Sequence, residues 1–130
     1  LQPGLSEAVA VCDVWRDRRE NACKKVNDHY AEAYGQGHYK SCEAYTDFRK
    51  VLDRADIDAV LIATPAHWHA IQAIEAAGAG VHIYLQKPMT MFPAESIAVR
   101  NAVRKNGVIC QIGRQIHASD HYRRMVELVR

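Results

Sequence analysis

The sequence predicts an α/β fold, with a parallel sheet covered by helices. Three observations carry this. Short apolar runs alternate with longer charged, alanine-containing segments along the 130 residues, the pattern of βαβ units. The apolar runs, such as Ala59-Val60-Leu61-Ile62-Ala63, are continuous and not alternating, as in strands covered on both faces. No linker, internal repeat or low-complexity segment divides the chain, so a single domain is expected.

The elements follow in order. Residues 8–12 form a short apolar strand that ends at Asp13. Residues 16–34 are charged and alanine-containing, so a helix is expected, stopped by Gly35 and Gly37. A short strand is expected over residues 41–45. Thr46 then stands where a helix N-cap belongs, and Phe48, Val51 and Leu52 have helical spacing. Residues 59–63 form a buried strand broken by Thr64-Pro65. Residues 68–77 form a helix with Ile71, Ile74 and Ala77 near one face, ended by Gly78 and Gly80. Residues 81–85 are a strand. Residues 93–106 are a helix, with Pro93 in its first turn and Gly107 at its end. Residues 108–112 are the last strand. A helix capped by Ser119 or Asp120 runs from Asp120 to Arg130.

Composition narrows the function classes. Lys and Arg total 17 against 15 Asp and Glu, a net charge of +2. So balanced a chain lacks the basic stripe that nucleic acid needs. An apolar fraction of 48% is enough for a core and argues against disorder. No apolar run approaches the roughly 18 residues of a membrane span. Cys12, Cys23, Cys42 and Cys110 are scattered with no CxxC pair, which points to a reduced, cytoplasmic setting. Cys12 and Cys110 lie in apolar runs and are expected to be small buried hydrophobes. Leu1-Gln2-Pro3-Gly4-Leu5 carries neither an initiator Met nor a signal peptide, so a fragment is expected. An export signal ahead of Leu1 would not be visible here.

Ligands of open parallel sheets bind at the carboxyl ends of the strands. Asp13 follows the first strand, where a carboxylate can accept from ribose hydroxyls or cap the helix that starts at Arg16. Thr64-Pro65-Ala66-His67-Trp68-His69 follows the central strand. Its His-x-His spacing could serve a metal, but His29, His38, His82, His117 and His121 are dispersed and no third ligand stands out, so no metal site is assigned. A histidine facing a ligand at the helix start, or a structural histidine, remains. Gln86-Lys87-Pro88 follows the next strand. A lysine there can donate to a substrate oxygen or take part in proton transfer. Pro88 keeps Lys87 extended and allows a cis bond. Gly113-Arg114-Gln115 follows the last strand, either in the same cleft or as an ordinary loop. No G-x-S-x-G elbow or cysteine–histidine pair offers a nucleophile.

Three stretches together resemble the Gfo/Idh/MocA family of nicotinamide-dependent oxidoreductases. They are Ala10-Val11-Cys12-Asp13-Val14, Ile57-Asp58-Ala59-Val60-Leu61-Ile62-Ala63-Thr64-Pro65-Ala66-His67-Trp68-His69, and Gln86-Lys87-Pro88. The resemblance runs from about Ala8 to the C-terminus. It implies a Rossmann-like doubly wound parallel sheet that is incomplete, with the first strand and glycine-rich loop missing. Residues 1–130 would be a partial dinucleotide-binding domain, its last helix leading towards an absent α/β substrate domain that holds the catalytic histidine. The resemblance implies that Lys87 is catalytic, and that Asp13, Thr64, Pro65, His69 and Gln86 bind the cofactor. Asp13 favours NAD over NADP by repelling a ribose phosphate, and Arg16 softens that preference. The family motif begins with Glu where this chain has Gln86. Gln still hydrogen-bonds a ribose hydroxyl but supplies no charge and no proton acceptor.

The implied activity is hydride transfer between NAD(P) and a sugar, cyclitol or related polyol, in a homo-oligomer. Two alternatives stand beside it: an NAD-dependent glycoside-cleaving relative that uses transient oxidation, and a non-catalytic nucleotide-binding relative. The fold's strand order, 3-2-1-4-5-6, puts the missing first strand at the centre of the sheet. The 130 residues alone are therefore expected neither to bind NAD tightly nor to fold robustly. Urea unfolding with and without NAD measures this, and a cooperative transition of several kcal/mol that NAD raises would refute it.

Overall fold

The computed structural model describes residues 6–34, 41–114 and 119–129. Gly35, Gly37, His38, Gln115, His117 and Arg130 lie outside them. The chain divides into two compact units between Ile57 and Asp58.

The first unit contains β1 (Ala10–Cys12), α1 (Arg16–Tyr34), β2 (Glu43–Tyr45) and α2 (Phe48–Leu52). β1 and β2 are parallel, with Ala10 opposite Glu43 and Cys12 opposite Tyr45. α1 packs on both. Its Tyr30 is 1% exposed and its hydroxyl accepts the Ala8 N–H at 2.9 Å. Arg54 ties the far side together. It grips Asp56 through Nε and Nη2, each at 2.8 Å, and reaches Glu43 and the Tyr45 hydroxyl at 3.1 Å. The expected cap of α2 moves by one residue: Asp47, not Thr46, accepts the Arg49 N–H. A carboxylate at that position also suits the positive end of the helix.

The cysteine expectation needs correcting. Cys12 is exposed and Cys110 half-buried, whereas Cys42 is buried. β1 and β5 each have one strand partner among the described residues, so their apolar sequence does not bring burial with it. Burial, and next the neighbouring Cys23, push the Cys42 thiol up to about 12. Asn27 completes this cluster, accepting the Cys42 N–H at 2.8 Å.

The second unit contains β3 (Ala59–Ile62), α3 (Ala66–Gly78), β4 (His82–Gln86), α4 (Pro93–Asn106), β5 (Cys110–Gly113) and α5 (Asp120–Val129). Its sheet is parallel in the order β3-β4-β5. The first unit holds its own two-stranded sheet, β1-β2. Ile62, Leu85 and Ile112 share one row of the ladder. Leu85 is fully buried, as is Val99 of α4. The preceding row, on the opposite face, puts Leu61 beside Tyr84, and Leu61 is 70% exposed. In this unit, therefore, the strands bury one face and leave the other open.

α3 packs on α4 and β4, through only part of the stripe that its sequence suggests. Ala77 of that stripe is buried together with Ala70, Ala73 and Ala76, and Ile74 is half-buried, while Ile71 is 46% exposed. Small side chains let the helix approach closely, so the alanine face wins the interior. α4 matches its expected bounds. Glu95 accepts the Met91 and Phe92 N–H groups at its start, and Gly107 ends it at φ +67°. Leu85→Ala in the complete gene product should cost about 2–5 kcal/mol, because the site cannot collapse around the lost atoms. Urea denaturation checks this, and a loss well below 1 kcal/mol would place Leu85 outside the core.

Candidate functional site

In the second unit three parallel strands end at one edge, so the segments after them are neighbours. β3 leads to Thr64-Pro65, β4 to Lys87-Pro88 and β5 to Arg114. Thr64 is half-buried and its hydroxyl donates to Gln72 Oε1 of α3 at 2.7 Å. Pro65 is exposed and stands at the N-cap of α3, its carbonyl accepting the Trp68 N–H.

The two histidines of the His-x-His segment diverge. His67 is exposed and tilted against the Trp68 ring. His69 is 1% exposed, with Nδ1 at 2.7 Å from the Pro88 carbonyl and Nε2 at 2.8 Å from the Thr64 carbonyl. Both ring nitrogens thus face backbone. Among the described residues no group of three or more His, Cys, Asp or Glu is placed to hold a metal.

Gln86 ends β4 on the open face of the sheet. Its Oε1 accepts the Lys87 N–H at 2.9 Å. The side chains of Tyr84 and Gln86 lie over Gly113, the ladder partner of Gln86. A Cβ at Gly113 would stand 2.7 Å from Gln86 Oε1 and 3.1 Å from the Tyr84 ring. The Lys87–Pro88 bond is cis. The Lys87 side chain is exposed and has no acceptor among the described residues. Arg114 is exposed at the same edge.

Asp13 belongs to the first unit, just past β1. It is half-buried. Oδ1 accepts the Trp15 N–H at 2.8 Å, its N–H donates to the Tyr45 carbonyl, and its carbonyl accepts from Arg19. Trp15, whose carbonyl takes the Arg19 N–H, is the residue that caps α1. Asp13 instead shapes the turn before the helix. Among the described residues its Oδ2 accepts no hydrogen bond. Arg16 pairs with Glu20 at 2.8 Å on the surface.

Gln72 and Tyr84 escape a reading that inspects only strand ends. Gln72 lies one helical turn beyond His69, and Tyr84 lies two residues before Gln86, the strand period. Helical and strand spacing were the available signals for each.

Residues 2–114 match the model of the Gfo/Idh/MocA oxidoreductase family, NAD-binding Rossmann fold. The chain belongs to that family. Scyllo-inositol 2-dehydrogenase (NAD(+)) of Bacillus subtilis (strain 168) is 44% identical over 64 residues, 49% of this chain and 19% of the relative. A glycosyl hydrolase family 109 protein of Shewanella baltica (strain OS155 / ATCC BAA-1091) is 30% identical over 83 residues, 64% of this chain and 18% of the relative. Among solved structures, levoglucosan dehydrogenase in complex with NADH and levoglucosan has a TM-score of 0.67 and 30% identity, covering 85% of this chain and 26% of that one. The chain thus spans about a fifth to a quarter of the length of these relatives.

Gly113→Ala should leave the fold intact, since the atoms in the way are side-chain ends, but should push Gln86 off the Lys87 N–H. A crystal structure of the variant checks this. An unmoved Gln86 would show that the sheet itself gives way.

Proposed function

We propose that this chain is the nucleotide-binding part of an enzyme that transfers hydride between NAD(P) and a sugar, cyclitol or related polyol. The observation that carries this reading is Lys87. It stands at the carboxyl edge of a parallel sheet, with its main chain held and its ammonium free of protein acceptors among the described residues. An ammonium there can hold the reacting oxygen and offset its developing charge. Asp13 supports the cofactor side of the reading, because its Oδ2 is left to accept from a ribose hydroxyl. A nicotinamide dinucleotide, when bound, supplies the hydride chemistry. The resident side chains bind and orient: Asp13 the ribose, Thr64, Pro65 and Gln86 the edge beside Lys87, and Lys87 the oxygen. His69 serves that edge from the protein side.

The names of the relatives support a sugar-like substrate. The free thiols of the four cysteines suit a reduced, cytoplasmic setting. Among the described residues no helix is long and apolar enough to cross a membrane. A homo-oligomer with a downstream substrate domain belongs to the same proposal.

The glycosyl hydrolase relative favours a second reading, with which Gln86 is compatible, in which bound NAD oxidises a glycoside transiently and is regenerated. The two separate by assay. Hydride transfer to scyllo-inositol or levoglucosan yields net NADH, whereas the second route releases p-nitrophenol from p-nitrophenyl glycosides with none.

In the complete gene product Lys87→Ala should lower turnover about 100-fold or more with NADH affinity kept. Near-normal steady-state turnover would overturn the role of Lys87. Asp13→Ala should weaken NAD binding by about 1.5–3 kcal/mol, the worth of a hydrogen bond to a charged group, and narrow the NAD/NADP preference. Calorimetric titration with both cofactors decides it, and unchanged affinities would leave Asp13 as a turn residue only.

A further inference from the structure

His69 is the most buried polar side chain of its unit, and it contacts two segments that are far apart in sequence. Its Nε2 meets the Thr64 carbonyl at 2.8 Å, two residues past β3. Its Nδ1 meets the Pro88 carbonyl at 2.7 Å, two residues past β4. Carbonyl oxygens only accept, so a ring nitrogen bonds its carbonyl when it carries a proton. A protonated ring makes both, and a neutral ring makes one and leaves a lone pair facing the other carbonyl. The ring is rigid, buried and mounted in the first turns of a 13-residue helix. Gln72, one turn further along, holds the Thr64 side chain. α3 therefore grips Thr64 by its carbonyl and its hydroxyl, and reaches across to the next strand's exit through His69 alone among these bonds.

The effect falls on Lys87. Its N–H is held by Gln86 Oε1 on one side. On the other side the next residue, Pro88, is held through its carbonyl by His69. Between these two anchors the Lys87 side chain is exposed and without an acceptor among the described residues. Anchoring the main chain on both flanks of an exposed side chain confines where its ammonium can stand. Such support matters because a misplacement of about 1 Å at a reacting group can cost on the order of 100-fold in rate.

We propose that His69 is a positioning residue: from inside the protein it ties the β3 and β4 exits together and so fixes Lys87 over the bound nicotinamide. This rests on the reading of Lys87 as the lysine that faces cofactor and substrate. It differs from direct cofactor binding, since both ring nitrogens point at backbone carbonyls.

The test uses the complete gene product, with NADH as probe and the N-hydroxysuccinimide ester of acetate as lysine label. Lys87 acetylation is read by peptide mass spectrometry, and NADH affinity by fluorescence titration. NADH should slow Lys87 labelling in the unaltered protein. In His69→Leu, which removes both ring nitrogens, NADH should still bind with affinity changed only a few-fold, yet protect Lys87 much less. His69→Gln, which keeps an N–H donor, should restore part of the protection and serves if the leucine variant does not fold. Full protection in both variants would overturn the positioning role. So would equal loss in both with NADH affinity unchanged, because restoring a donor would then restore nothing. If NADH binds the unaltered protein and leaves Lys87 unprotected, the fault lies instead with the placement of Lys87 at the cofactor.

Discussion

Parallel strands all run out at the same edge of their sheet, and the chemistry of this chain hangs on that constraint. In the second unit the ladder sets Ile62, Leu85 and Ile112 in one row and turns that row into the core. The following row, Gln86 and Gly113, then necessarily lies on the other face. A slip of one residue would exchange the faces, burying Gln86 and exposing Leu85. The hydrophobic demand of Leu85, fully buried on a strand that packs against α3, thus places Gln86 over Gly113 and Lys87 at the edge.

Around that edge the polar side chains divide into two groups. Thr64, His69 and Gln86 point at partners within the protein: Gln72, two backbone carbonyls and the Lys87 N–H. Among the described residues no buried side-chain nitrogen or oxygen lacks a hydrogen bond. That is the ordinary requirement for polar groups withdrawn from water. Lys87 and Pro65 remain outward. The inward group holds the main chain still, and the outward group is what a ligand could meet. Precision at such an edge comes from the residues behind it.

The first unit solves a similar problem with charge. Arg54, whose side chain is only 15% exposed, gathers Asp56, Glu43 and Tyr45. Its planar fork suits the two oxygens of Asp56. At the other end of β1, Asp13 spends one carboxylate oxygen on the turn into α1. A single residue can therefore be both a structural turn former and a ligand group, because a carboxylate has two oxygens. The turn thus takes the place of the helix cap that the sequence offered for Asp13, and it does not exclude the ribose reading.

The element order, the parallel sheet and the family were legible in the sequence alone. α1 and α4 even run over their expected residues, because charge patterning, a proline in the first turn and a terminal glycine are local signals. The Lys87-Pro88 and Thr64-Pro65 strand exits were equally plain, since proline stops a strand within the sequence itself. Burial was another matter. Cys12 looked like a core residue and is exposed, while Ile71 yielded the interior to smaller alanines. Apolarity tells which residues can be buried, but packing against neighbours distant in sequence chooses among them. The same holds for His69. Its sequence neighbourhood left a ligand-facing and a structural histidine equally open. Only the approach of Pro88, 19 residues away in sequence, brought a second backbone carbonyl to its ring.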